Sequence, residues 1–235
     1  MTGKLGAFGV IHGLLLGLLL ACPLVAPGLL PWGIDALLLV GGFHLRLADR
    51  RFTLRPGVGE WVSHIMMAPS RLIGWIAVAA VAMLAGDEKR ALAILLAALA
   101  CELLAYPLAT LLLGRRGLAW AACVLGLLII ATGLADQVVV RLILCFLIGV
   151  AGCMVWLRGP DGEPRALAWA LGGSLAAIVA PWLFPHSMPF AVPTFLVCTA
   201  WALAHLSVLR RQVMPWRRDT APVRLRPAGL RSPLS

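Results

Sequence analysis

Residues 117–135 read GLAWAACVLGLLIIATGLA, and after Asp136 residues 137–157 read QVVVRLILCFLIGVAGCMVWL. Across both runs and the residue between them, only Asp136 and Arg141 carry charge. A helix on the surface of a water-soluble protein keeps one polar face, and these two segments have none. Each is long enough to cross a hydrocarbon core of about 30 Å at about 1.5 Å per residue. The period-two alternation of a membrane β-strand is absent, which excludes a barrel.

Six further runs of this kind flank the pair, at roughly 6–26, 32–48, 69–86, 91–113, 166–184 and 189–209. The run at 32–48 is short and is the weakest of the set. The sequence therefore predicts an all-α, polytopic transmembrane bundle of about eight spans, occupying residues 1–209. The breaks between runs carry turn chemistry: Pro23, Pro27, Gly28 and Pro31; Gly86 with Asp87; Gly114 and Gly117; Gly159, Pro160, Gly162 and Pro164; Pro185 and Pro189. Lys4 and the apolar run up to Cys22 bear a faint likeness to a lipoprotein signal, but Leu20 and Pro23 fit that pattern poorly. The segment reads as a retained first helix.

Composition agrees. Apolar residues make up 61% of the 235 and charged residues 13%, about half the usual share, so too little polar surface is available to face water. The net charge of +10 would point to nucleic acid in a soluble chain, but here it sorts by loop. With the N-terminus inside, the inner segments hold Lys4, Arg46, Arg50, Arg51, Arg55, Arg115, Arg116, Arg158, Arg165 and the arginines of the tail. The outer segments hold Lys89 and Arg90, offset by Asp87 and Glu88. The positive-inside rule then puts both termini in the cytoplasm. Arginine use far above lysine, with abundant Ala and Leu, suggests a GC-rich bacterium and hence its inner membrane.

Residues 210–235 contain seven Arg, four Pro and one acid, and are expected to form a disordered basic cytoplasmic tail. Such a tail is drawn to anionic lipid headgroups or docks on a membrane protein partner. Residues 49–68 mix Arg50, Arg51, Arg55, Glu60 and His64 with Phe52, Trp61, Ile65, Met66 and Met67. From Val58 to Met67 they suit a short interfacial helix or a plain cytoplasmic loop.

Ionisable groups inside a span cost about 2.5–3.5 kcal/mol near its centre and usually face the bundle interior. Glu102 lies near the middle of the fourth run, with Tyr106 one turn on. Pro107 removes an N–H and should free the Leu103 carbonyl. A carboxyl, a phenol and a free carbonyl suit a midplane substrate, proton or cation site, or a protonated Glu bonded to its neighbours. Asp35 and Arg141 lie at matching depths toward the outer side and would pair if their helices touch. They serve either structure or substrate contact. At the inner interface, Arg71 could hold a phosphate while His64 or Glu60 moves a proton.

Two facing histidines could bind haem, but His12, His44 and His205 all lie toward inner ends and only His186 lies outside, so no cofactor and no metal is expected. The six cysteines form no C-x-x-C pair and read as buried small hydrophobes. Gly13 with Gly17, Gly41 with Gly42 and Gly172 with Gly173 permit close helix approach. Nucleic-acid binding is not expected, and no Walker loop, dinucleotide fingerprint or serine-nucleophile setting occurs, so no catalytic residue is assigned. The leading expectation is a small transporter or lipid-handling permease with a midplane carboxyl site. The alternatives are a membrane-embedded enzyme, or an accessory subunit of a complex that processes lipid or polysaccharide.

Overall fold

The computed structural model describes residues 30–49, 58–114, 116–159 and 163–213. The run at 6–26, His12, the Gly13–Gly17 pair and the tail from 214 onward lie outside these residues, as do Arg50, Arg51, Arg55 and Arg115. Every regular element among the described residues is helical. In chain order these are α1 (Leu30–Ala48), α2 (Val58–Met66), α3 (Ala68–Leu84), α4 (Glu88–Ala100), a π-helical turn (Cys101–Ala105), α5 (Tyr106–Gly114), α6 (Leu118–Leu134), α7 (Val138–Arg158), α8 (Pro164–Leu183), a 3-10 turn (Pro185–Ser187) and α9 (Met188–Val213).

Among the described residues, four stretches are long and apolar enough to cross a membrane: Glu88–Gly114, Val138–Arg158, Pro164–Leu183 and Pro185–Leu206. The α2–α3 pair, bent by 47°, makes up to five. Their outer faces are apolar too. Leu104, Leu108, Leu112, Leu171, Leu175 and Ile178 are all exposed, an arrangement that suits lipid and would be costly in water.

The short run at 32–48 becomes α1, the most enclosed helix among the described residues, with Ile34 to Val40 almost fully buried. Asp35 and Arg46 interrupt this apolar run, but both point into protein rather than lipid and have partners there. Helix α1 packs most extensively on α7. Glycine sets that distance. A Cβ on Gly149 would overlap the Leu39 carbonyl oxygen, and one on Gly42 would overlap the Phe146 carbonyl oxygen. Gly42 belongs to a pair already read as a close-approach site, whereas Gly149 gave no such signal. Gly173 also meets a neighbour, the Cys198 sulfur, but a Cβ on Gly172 would meet nothing within 4 Å. One turn on along α7, Trp201 Nε1 donates to the Gly152 carbonyl at 2.8 Å and ties α9 to the pair.

The α3–α4 hairpin turns on Gly86, whose φ of +80° lies in the left-handed region that favours glycine. Asp87 then caps α4 by accepting from the Arg90 N–H at 3.0 Å. Arg158, a topology charge by sequence, also ends a helix: its guanidinium donates to the Leu113 and Gly114 carbonyls at the C-terminus of α5.

Candidate functional site

Pro107 and the turn before it build the site. Pro107 has no N–H for the Leu103 carbonyl, and the chain widens upstream into the π-helical turn Cys101–Ala105. There the Tyr106 N–H bonds to Cys101 O, so the Glu102 carbonyl also loses its usual helical donor. Helix α2 supplies two replacements. His64 Nε2 lies 3.1 Å from the Glu102 carbonyl, and Trp61 Nε1 donates to the Leu103 carbonyl at 3.0 Å. The stretch 58–67, open by sequence between interfacial helix and loop, is therefore a helix over Val58–Met66 that docks on this break.

This docking predicts a coupled effect. Trp61→Phe should cost about 1 kcal/mol, the usual worth of one such bond. In a Pro107→Ala background, where an N–H is restored, the same change should cost less. Thermal unfolding of the four variants in detergent measures the coupling, and equal losses in both backgrounds would refute it.

The side chains converge on the same point. Arg71 Nε donates to Glu102 Oε2 at 2.7 Å, and Arg71 Nη2 donates to the His64 carbonyl at 2.9 Å. His64 Nε2 lies 3.4 Å from Glu102 Oε2, and its ring stacks on Tyr106 at 4.9 Å between centroids. Tyr106 donates to Asp49 Oδ2 at 3.2 Å, and His64 Nδ1 lies 3.9 Å from the same oxygen. Glu102, His64 and Tyr106 are buried, whereas the Arg71 side chain keeps 25% of its surface exposed. Arg46, buried beside them, donates to the Asp49 carbonyl. Two guanidiniums and two carboxylates thus balance around a histidine and a tyrosine.

The sequence treated Glu102 with Tyr106, and His64 with Arg71, as separate sites at different depths. They form one cluster. Arg71 lies thirteen residues before Leu84 and Glu102 lies fourteen after Glu88. At 1.5 Å per residue, each is about 20 Å from the hairpin, so the antiparallel pair brings them level. Asp49 went unnoticed, although an acid immediately after a run, beside Arg50 and Arg51, was a usable signal.

Two cavities meet at Arg71. One, of about 380 Å³, is apolar apart from His44, Arg71 and Glu102, and is walled by Leu37, Trp75, Val78 and Phe146. The other, of about 340 Å³, is lined by Asp49, Glu60, Ser63, His64, Ser70 and Arg71. Glu60 therefore borders the cluster without contacting its ion pair.

Asp35 and Arg141 do meet, with Arg141 Nε 3.2 Å from Asp35 Oδ2. They line a separate cavity of about 200 Å³ with Thr132, Asp136, Pro189 and Pro193. Among the described residues, no group of three or more His, Cys, Asp or Glu could hold a metal ion. His205 packs edge-on against Trp156, and His44 borders the apolar cavity. Comparisons with protein-family models, curated proteins and solved structures found no significant match to this chain.

Proposed function

We propose that this chain is a lipid-handling permease with eight spans and both termini in the cytoplasm, located in a bacterial inner membrane. Its ligand is an amphiphile with a zwitterionic, phospholipid-type head. The observation that carries this reading is the position of Arg71, which forms a shared wall of an apolar and a polar cavity. An acyl chain suits the space between Leu37, Trp75, Val78 and Phe146, and a head suits the space beside Ser63, Ser70 and Asp49. Arg71 offers a phosphate its exposed guanidinium edge. A purely anionic head fits less well. Glu102 already neutralises Arg71, and Asp49 and Glu60 border the polar cavity. Those carboxylates complement an ammonium group on the same head.

The basic tail would hold the inner face against anionic headgroups or a partner membrane protein. An enzyme acting on the head is the second reading, supported by His64, which borders the polar cavity and whose ring nitrogen lies 3.4 Å from the Glu102 carboxylate.

Native mass spectrometry of the purified protein with phosphatidylethanolamine and phosphatidylglycerol tests the ligand. We expect phosphatidylethanolamine to be retained preferentially and Arg71→Ala to weaken that retention at least tenfold. Equal retention of both lipids, or by wild type and variant, would refute the assignment. Movement is tested by reconstituting the protein with a fluorescent phospholipid and adding an external quencher. Quenching beyond the outer leaflet supports a permease, and headgroup cleavage without movement supports the enzyme.

A further inference from the structure

The cavity at the opposite end of α1 from Asp49 holds an unsatisfied acceptor. Asp35 is 3% exposed, and its Oδ1 has no hydrogen-bond partner. Its other oxygen faces Arg141. A buried carboxylate oxygen without a donor is expensive, so its presence calls for something that fills the position. The cavity offers more acceptors. Thr132 gives its own hydroxyl proton to the Leu128 carbonyl and turns oxygen lone pairs outward. Pro193 lies inside α9 and has no N–H for the Pro189 carbonyl, and both prolines line the cavity.

The charge balance agrees with the geometry. Among the described residues, Asp35 and Asp136 face one guanidinium, Arg141, which leaves the lining one positive charge short. Arg90 at the end of the hairpin adds a weaker attraction to Asp35, and Cys145 on α7 is the remaining titratable group in the lining among the described residues. Helix α9 contributes no titratable side chain to this cavity, only Pro189, Val192, Pro193 and Leu196.

We propose that the outer cavity is a proton-binding site in which Asp35 takes up one proton on Oδ1, reached through water from the face that carries Asp136. A metal cation fits poorly, because a hard ion needs about six oxygen ligands and Arg141 would repel it. A proton needs no coordination shell. A volume of about 200 Å³ holds several waters, enough for a hydrogen-bonded path. Asp136 is exposed and sits at the outer end as a proton collector. Protonation removes the charge that holds Arg141, so it would loosen the contact between α1 and α7. The α1–α7 pair also supplies Leu37 and Phe146 to the cavity beside Arg71, which gives a physical link between the two ends. The inference stands apart from the lipid reading.

Difference infrared spectroscopy of the full-length protein in lipid nanodiscs, between mildly acidic and mildly alkaline buffer, tests it. We expect a protonated-carboxyl band that disappears in Asp35→Asn, persists in Glu102→Gln, and returns at a shifted frequency in Asp35→Glu. Replacing sodium by choline at constant pH should leave the band unchanged. The proposal fails if Asp35→Asn retains the whole band, or if sodium displaces it and so marks a metal-cation site. Should Asp35→Asn not fold, the Asp35→Glu shift decides alone: an unshifted band overturns the assignment.

Discussion

Arg71→Ala is expected to destabilise the folded protein by about 3 kcal/mol, whereas Glu102→Gln costs only about 1 kcal/mol. The asymmetry follows from exposure. The Glu102 side chain is 4% exposed, and without Arg71 its buried carboxylate loses its strongest partner. Without the Glu102 charge, Arg71 keeps its bond to the His64 carbonyl and turns its exposed edge toward Asp49 and Glu60. Replacing the pair together, Arg71→Met with Glu102→Leu, should recover most of the stability, because the desolvation cost of both charges disappears with them. Lipid retention should not recover. That separation distinguishes a site kept for a ligand from an ion pair kept for structure. Thermal unfolding in detergent alongside native mass spectrometry reads both. A double variant no more stable than Arg71→Ala, or one that retains lipid like the wild type, would overturn this assignment.

The second large effect lies at the α1–α7 contact. Gly149→Val should prevent accumulation of folded protein, and Gly149→Ala should cost about 3 kcal/mol, the upper end of ordinary overpacking. The added atom meets the backbone of Leu39 and Phe43, which cannot rotate aside as a side chain would. The control is Gly126→Ala on α6, where a Cβ would meet nothing within 4 Å. That change should be neutral or add up to about 1 kcal/mol, because alanine favours helix over glycine. Chromatographic monodispersity and unfolding temperature compare the two. Equal behaviour of Gly149→Ala and Gly126→Ala would show that the helices do not meet as closely as described.

What the sequence by itself determined is the all-helical, membrane-suited class of the molecule and the positions of most helices among the described residues. Helix location is written locally: runs such as 117–135 carry no charge on any face, Gly86 and Asp87 mark a turn, and Pro107 removes one named hydrogen bond. Even the disturbance at Leu103 was legible, because a missing N–H has a fixed partner four residues upstream. The chemistry-bearing residues Glu102, Tyr106, His64, Arg71, Asp35 and Arg141 were legible for a similar reason, since charge and hydroxyl stand out against hydrocarbon.

Which of these residues meet was decided only by the tertiary structure. Apart from Arg141, α7 is apolar all round and carries no marked face, so the matching depth of Asp35 and Arg141 hinted at a contact with α1 but nothing said that it runs through Gly149 and Gly42. The merging of two supposed sites into one cluster needed the register of the α3–α4 hairpin, together with the fold-back of α2 onto the π-helical turn. Asp49 acquired its role from a tyrosine fifty-seven residues away, across a gap that no local pattern spans.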